Sequence, residues 1–248
     1  LIPLLDLFSG IGGFSLGLER TGGFKTVAFC EINGKSQRVL GKHWPDVPIY
    51  NDIKELTLEK LQSDGVPLPR AICGGFPCQD ISNANREAEG IVGERSGLWS
   101  EMFRLIRDVR PTWAVVENVS ALRAKGLALV LQNLSEIGYD TEWHCIPASA
   151  VGAPHQRDRV WVLAHANQQR LEGRFRKVLQ ECSRELPVRT GGPREGRLSD
   201  FWLSEPNVGR VANGVPRRVD RLKQLGNSVV PQIVETIGRV ILDTEQGK

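Results

Sequence analysis

Three groups of residues along the chain have types and spacings that suit covalent and acid–base chemistry. Cys78 lies in Gly74-Gly75-Phe76-Pro77-Cys78-Gln79, directly after the apolar stretch Arg70–Gly74. A thiolate is a strong nucleophile, and the glycines and proline around it imply a constrained, exposed loop. The plain alternative is a buried, inert cysteine. Glu117 closes the apolar run Ala114-Val115-Val116. A carboxylate there is partly desolvated, which raises its pKa and suits it to donate a proton; a helix-capping or solvated glutamate is the other reading. Arg157 and Arg159 stand two residues apart at the start of an apolar run. In extended chain they point to one face and can reach one pocket, although a single surface arginine often makes no specific contact.

A further group suits binding rather than reaction. Leu4-Leu5-Asp6-Leu7-Phe8-Ser9-Gly10-Ile11-Gly12-Gly13-Phe14 is an apolar strand that ends in a glycine-rich turn and opens a helix. Glycines let the backbone approach a ligand, and a helix N-terminus offers unpaired N–H donors. By itself this is also what any tight strand-to-helix turn looks like. Glu31 lies 21 residues after Gly10, at the end of the second expected strand. Nucleotide-binding folds place a carboxylate there to accept from ribose hydroxyls. Asp52, past the next loop, could accept from an adenine amino group. No Gly-Lys-Ser/Thr follows the glycines, which disfavours a loop built for nucleoside triphosphates.

Positioning these residues requires alternating short strands and amphipathic helices. The apolar runs predict strands at Ile2–Phe8, Thr26–Glu31, Arg70–Gly74, Thr112–Glu117, Thr141–Pro147 and Arg159–Ala164. Helical spacing predicts helices at Gly13–Arg20, Gly34–His43, Leu98–Val109 and Ala121–Ile137, the last capped by Ser120. This is the pattern of an α/β domain with a parallel sheet and crossover helices. From Asn167 to Arg218 the chain is rich in Arg, Gly, Ser and Pro, which predicts loops with one short helix around Arg170–Leu179. Helical periodicity returns at Pro231–Leu242, with Pro231 suited to the first helical position. The chain thus re-enters the first domain.

Composition narrows the class. The 248 residues are 40% apolar and 25% charged, as expected for a globular protein with an ample core. No apolar run nears the roughly 20 residues of a membrane span, and no cleavable leader is recognisable, so a cytoplasmic location is expected. Five cysteines (Cys30, Cys73, Cys78, Cys145 and Cys182) at irregular spacings fit neither a disulfide framework nor a zinc site. The net charge of +3 is unevenly placed: His165–Lys223 carries thirteen Lys/Arg against seven Asp/Glu, or +6. Such a window is either a solvated surface or a footprint for a phosphate backbone.

Taken together and in order, these blocks resemble the cytosine-C5 DNA methyltransferase family. The resemblance rests on Asp6–Phe14, Glu31, Asp52, Phe76-Pro77-Cys78-Gln79, Arg95–Trp99, Glu117-Asn118-Val119, Arg157-Asp158-Arg159 and Gly226-Asn227-Ser228-Val229-Val230. It implies a Rossmann-like S-adenosylmethionine-dependent methyltransferase fold with a short, loop-rich recognition insertion. Residues 1–165 would form the catalytic and cofactor-binding domain, 166–216 the target-recognition segment and 217–248 the return to the catalytic domain. It also implies that Cys78 adds to cytosine C6 while Glu117, Arg157 and Arg159 hold the base. Phe8, Ser9, Gly10, Gly12, Gly13, Glu31, Ile32, Asp52, Ile53, Pro77, Leu98, Asn227 and Ser228 would hold the cofactor. Double-stranded DNA is the implied partner of a monomeric enzyme serving restriction-modification or DNA protection.

The chain departs from the family pattern in having His155 where the family usually has Gln. Its recognition segment is short, and Arg210–Arg221 stands in place of the block before the final motif. Three other readings remain at this point: a tRNA cytosine-C5 methyltransferase, a non-catalytic DNA-binding relative, and a small-molecule methyltransferase. The last explains the glycine turn but neither Cys78 nor the basic window.

Overall fold

The computed structural model describes residues 1–77, 97–153, 155–166 and 225–247. Cys78, the helix expected around Arg170–Leu179 and nearly all of the basic window lie outside them. Seven strands form one sheet: β1 (Ile2–Leu7), β2 (Phe24–Cys30), β3 (Ile49–Tyr50), β4 (Ala71–Gly75), β5 (Trp113–Val119), β6 (Asp140–Ile146) and β7 (Arg159–His165), in the order β3-β2-β1-β4-β5-β7-β6. The helices are α1 (Gly13–Glu19), α2 (Gly34–His43), α3 (Leu58–Ser63), α4 (Leu98–Val109), α5 (Leu122–Lys125), α6 (Leu127–Glu136) and α7 (Pro231–Glu245), with a 3₁₀ turn at Ala148–Val151. No helix among the described residues is long and apolar enough to cross a membrane.

The central strands read as continuous apolar runs because both faces of the sheet are covered. Successive side chains alternate between two cores. Leu5, Leu7, Ala114, Val116, Val160 and Val162 face α4 and α6, through Met102, Leu105, Ile106, Val130 and Leu134. Ile2, Leu4, Trp113, Val115, Trp161 and Leu163 face α1 and α7, through Phe14, Leu18, Ile233, Val234, Ile237 and Ile241. The C-terminal helix therefore supplies half of one layer. It seats against α1 at Gly17, where a Cβ would lie 2.5 Å from the Pro231 carbonyl oxygen and 2.6 Å from Val234. Only glycine allows that approach.

Three expectations are corrected. The sheet is not wholly parallel: β7 runs antiparallel to both β5 and β6. The connection from β6 to β7 holds only a 3₁₀ turn, and without a crossover helix the chain must return in the opposite direction. The helix expected over Ala121–Ile137 is two helices parted at Gly126, whose φ of −170° is extended, and Ala121 takes the N-cap position without a side-chain bond, not Ser120. Finally, β3 and α3 were not expected. Two residues make too short a run to register as a strand, and α3 is announced only by Thr57, whose hydroxyl accepts from the Lys60 N–H.

Beneath the glycine turn, Asp6 is fully buried on β1. Its Oδ2 accepts from the Ser15 N–H at 3.2 Å and from the Ser15 hydroxyl at 2.8 Å, which fastens β1 to α1. Its Oδ1 has no hydrogen-bond partner among the described residues. Burial pushes its pKa up to about 7, against the opposing pull of the two Ser15 bonds. A folded-state pKa above the unfolded value means that Asp6 costs nothing below about pH 4, and destabilises progressively as pH rises to about 7. Asp6→Asn keeps an acceptor for Ser15 and abolishes the titration. The variant should melt higher than wild type at about pH 8, with the difference closing as pH falls toward 4; a difference independent of pH in thermal melts would refute a titrating Asp6.

Candidate active site

At the carboxyl ends of β1, β2, β4 and β5 a cavity of about 1100 Å³ opens, the edge where open α/β sheets hold their ligands. Parallel pairing sets this, because it carries Phe8, Glu31, Phe76 and Glu117 to the same side. Of the residues expected from the sequence, Phe8, Gly10, Glu31, Ile32, Asp52, Ile53, Pro77, Leu98, Glu117, Arg157, Arg159 and Asn227 line it. Ser9, Gly12, Gly13 and Ser228 are not among its lining residues. They build the wall from behind. Ser9 donates its hydroxyl to the Asp6 carbonyl at 2.6 Å, and a Cβ at Gly12 would meet Trp44 at 2.6 Å. Gly13 and Ser228 meet each other: a Cβ on Gly13 would lie 2.7 Å from the Ser228 hydroxyl. Cys78 follows lining residue Pro77 directly in sequence and lies outside the described residues.

One half of the cavity is organised by Glu31. Its Oε2 accepts from the Gly10 N–H at 2.7 Å and its Oε1 from the Asn33 N–H at 2.7 Å. Gly10 has a φ of +55°, the left-handed region that favours glycine, and nothing lies within 4 Å of where its Cβ would be. Phe8 shares this positive φ, at +52°, as the chain swings from β1 into the turn. Asn33 caps α2, its side chain accepting from Lys35 and Ser36. Gln37, one turn into α2, donates to the Glu31 carbonyl at 2.5 Å and to Asn51 Oδ1 at 3.1 Å. It links the second strand to the turn that carries Asp52. Ile32 lines the cavity and stays 68% exposed, an apolar surface open at the rim.

The other half is centred on an ion pair between a buried carboxyl group and a half-buried guanidinium. Arg159 Nε lies 2.9 Å from Glu117 Oε1, on neighbouring strands, since β5 and β7 pair here. Burial pushes the Glu117 pKa up to about 7, against the lowering influence first of Arg159 and then of Arg157. The carboxyl group is thus poised between its two protonation states near neutrality. Gly75 makes room for it, because a Cβ there would stand 2.7 Å from Glu117 Oε2. Asn118 donates its amide to the Phe76 carbonyl at 2.9 Å, tying the chain just before Cys78 to the strand of Glu117.

The two arginines of the Arg157-Asp158-Arg159 block divide their work. Arg159 pairs with Glu117, whereas Arg157 donates to the carbonyls of Gly226 at 2.5 Å and Ser228 at 2.7 Å. Its backbone adopts a φ of +40° to do so. Arg157 thereby ties β7 to the segment leading into α7, across about seventy residues of sequence. Asn33 and Gln37 were not singled out from the sequence, and Asn118 was read only as part of the Glu117-Asn118-Val119 block, with no role of its own. Its place beside Glu117 was the signal for Asn118, while Gln37 sits among polar residues of an exposed helix and carries no such signal.

A family model described as C-5 cytosine-specific DNA methylase matches residues 2–191. The chain belongs to that family. Among curated members, the Type II methyltransferase M2.BsuMI of Bacillus subtilis is 38% identical over 171 residues, covering 66% of this chain and 42% of that protein. The Type II methyltransferase M.CviJI of Paramecium bursaria Chlorella virus IL3A is 35% identical over 162 residues, covering 64% and 42%. The chain spans less than half the length of these relatives. Among solved structures, the Entamoeba histolytica methyltransferase EhMeth shares the fold, with a TM-score of 0.64 over 98% of each chain at 13% identity. The sheet is accordingly that of a Rossmann-like methyltransferase fold.

The Glu117–Arg159 pair can be tested apart from any activity. Removing the guanidinium in Arg159→Gln takes away the largest influence favouring the carboxylate. The Glu117 midpoint should move upward from about 7 in a pH titration followed by NMR of its labelled carboxyl carbon. An unmoved midpoint would show that Arg159 does not hold the charge.

Proposed function

We propose that this methylase-family chain is a DNA cytosine-C5 methyltransferase that uses S-adenosylmethionine, with Cys78 as its nucleophile. The observation that carries the reading is the desolvated Glu117 carboxyl group paired with Arg159, set in the same cavity as the Glu31 turn and beside Pro77, which precedes Cys78. Family membership supports the substrate class. The reading makes the chain a monomer acting on double-stranded DNA in the cytoplasm, in restriction-modification or DNA protection.

The residues of the first half suit the cofactor. Glu31 retains lone pairs for two ribose hydroxyls, and Asp52 keeps a free acceptor position for an adenine amino group, since the described structure gives its Oδ1 only the Lys54 N–H at 3.0 Å. Phe8 and the exposed Ile32 offer apolar faces to a purine, and the open space at Gly10 admits the ligand to the backbone. Bound there, S-adenosylmethionine supplies a methyl group on a sulfonium, an electrophile that carbon C5 of an activated cytosine can take up.

Cytosine C5 is a poor nucleophile until C6 is attacked. The Cys78 thiolate adds to C6, and the ring electrons move toward N3, where Glu117 delivers or shares its proton. A carboxyl group with a pKa near 7 is matched to this exchange at neutral pH. Arg159 holds the carboxylate through Nε, gives Nη1 to the Asp158 carbonyl at 2.9 Å and would offer Nη2 to the base carbonyl. Once C5 carries the methyl group, loss of its proton returns the electron pair to the C5–C6 bond and expels the thiolate. The target must leave the duplex to be reached, as is general for enzymes acting on a paired base, methyltransferases included. The basic window His165–Lys223, with a net +6, is the DNA-contacting segment in this reading.

The reading is tested with labelled S-adenosylmethionine and duplex DNA. Wild type should transfer label to cytosine C5 and should become covalently attached to DNA containing 5-fluorocytosine, because fluorine blocks the final elimination. Cys78→Ala should do neither and should still bind cofactor. Trapping by Cys78→Ala would remove the nucleophile assignment, and transfer to tRNA in place of duplex DNA would replace the substrate.

A further inference from the structure

The turn that carries Asp52 and Ile53 into the cavity is held weakly by the sheet. It follows β3, which has only two residues and pairs with β2 at Phe29 and Cys30 alone. Inside the turn, Asp52 Oδ1 accepts from the Lys54 N–H at 3.0 Å, the Glu55 N–H donates to the Asp52 carbonyl at 3.1 Å, and the Leu56 N–H donates to the Ile53 carbonyl at 3.3 Å. These bonds shape the turn itself; its entry is held by the Glu31 N–H donating to the Tyr50 carbonyl at 2.9 Å and by Gln37 donating to Asn51 Oδ1 at 3.1 Å, which leaves the Ile53–Leu56 side to be fixed from elsewhere. Ile53 and Leu56 are buried, but apolar contact is non-directional and tolerates sliding.

A directional tether comes from α4. Arg104 Nη2 donates to the Ile53 carbonyl at 2.8 Å and to the Leu56 carbonyl at 2.9 Å. Its Nε donates to Glu101 Oε2 at 2.8 Å, one helical turn back, which fixes the plane of the guanidinium. The Arg104 side chain is 24% exposed and Glu101 27%, so the assembly is largely withdrawn from water. Charge-assisted bonds of this kind are stronger than neutral ones, and two carbonyls are satisfied by one nitrogen of a rigid fork. The same helix begins at Leu98, which lines the cavity. Wall and tether therefore belong to one rigid element.

We propose that Arg104, oriented by Glu101, is a positioning residue that locks the Asp52–Leu56 turn in the geometry that reads the adenine of the cofactor. The proposal rests on the cofactor reading given above. Arg104 touches neither cofactor nor DNA in this account. It acts through Asp52, so the effects of the two residues cannot be independent.

That dependence is what the experiment reads. Binding of S-adenosylhomocysteine to the whole chain is measured by calorimetry for wild type, Asp52→Ala, Arg104→Gln and the double variant. Each single change should weaken affinity roughly tenfold, and the double variant should bind about as Asp52→Ala does, because the turn no longer has a contact to misplace. In turnover, Arg104→Gln should raise KM for S-adenosylmethionine with kcat at saturation little changed, and Arg104→Lys should recover part of the loss. A merely structural role predicts losses that multiply in the double variant, and that outcome overturns the proposal, as does unchanged affinity in Arg104→Gln. Should Arg104→Gln fail to melt cooperatively, Glu101→Gln, which frees the guanidinium but keeps it, enters the same cycle with a smaller expected loss and the same required non-additivity. A wild type that binds no S-adenosylhomocysteine overturns the cofactor reading itself and this proposal with it; a wild type that binds while the cycle is additive overturns only the proposal.

Discussion

Parallel pairing of β1 with β2 and β4, and of β4 with β5, is the constraint from which the site follows. Each parallel strand enters from the same edge and leaves at the same edge, so residues at or just past the ends of four separate strands converge although they are far apart in sequence. Phe8, Glu31, Phe76 and Glu117 meet for this reason alone. Reversing one of those strands would send its terminal residue to the opposite edge of the sheet, one strand length away. The reversed β7 is the useful exception. Because it runs antiparallel to β5, its first residue, Arg159, lies at the edge where β5 ends, in register with Val119 and two residues from the level of Glu117. A parallel β7 would carry Arg159 to the far edge and leave Glu117 without its cation.

Burial then sets the chemistry of the groups so gathered. Glu117 and Asp6 are both carboxyl groups lifted to about 7 by desolvation, yet they differ in what opposes it. Asp6 has only neutral donors, Ser15 first and the Cys73 thiol after it, sits inside the layer between sheet and α1, and serves to join them. Glu117 faces a cavity and a guanidinium, so its proton can be exchanged with a ligand. The same physical shift is sealed inside the core in one place and open to the cavity in the other.

Close backbone approach is the third ingredient. Gly17 admits α7, Gly13 admits Ser228, and Gly75 admits the Glu117 carboxyl group; in each case a Cβ would come within 2.7 Å of the neighbour. The first two, with Arg157 gripping the Gly226 and Ser228 carbonyls, bring the C-terminal segment behind the glycine turn, so the ligand-facing wall is made from both ends of the chain. The tether from Arg104 to the Ile53 and Leu56 carbonyls extends the same logic to the other rim.

The sequence by itself determined the alternation of strands and helices, the glycine turn, the carboxylates at strand ends and the order of the motif blocks. These are local matters: apolar runs report burial on both faces, and glycine reports a backbone that must turn or approach closely. It also determined that Pro231 opens a helix, since proline lacks only an N–H that the first helical turn leaves unpaired anyway. What it could not determine were relations between elements. Nothing local distinguishes a strand that pairs parallel from one that pairs antiparallel, so the direction of β7 was decided by the short connection and by its place between β5 and β6. Arg157 and Arg159 share a face in any extended chain, yet one pairs with Glu117 and the other with carbonyls about seventy residues away, because which acceptors lie within reach is a property of packing. The two-residue β3 and the role of Arg104 were invisible for the same reason. A guanidinium on an amphipathic helix looks like any solvated arginine until the tertiary structure sets two inward-facing carbonyls before it.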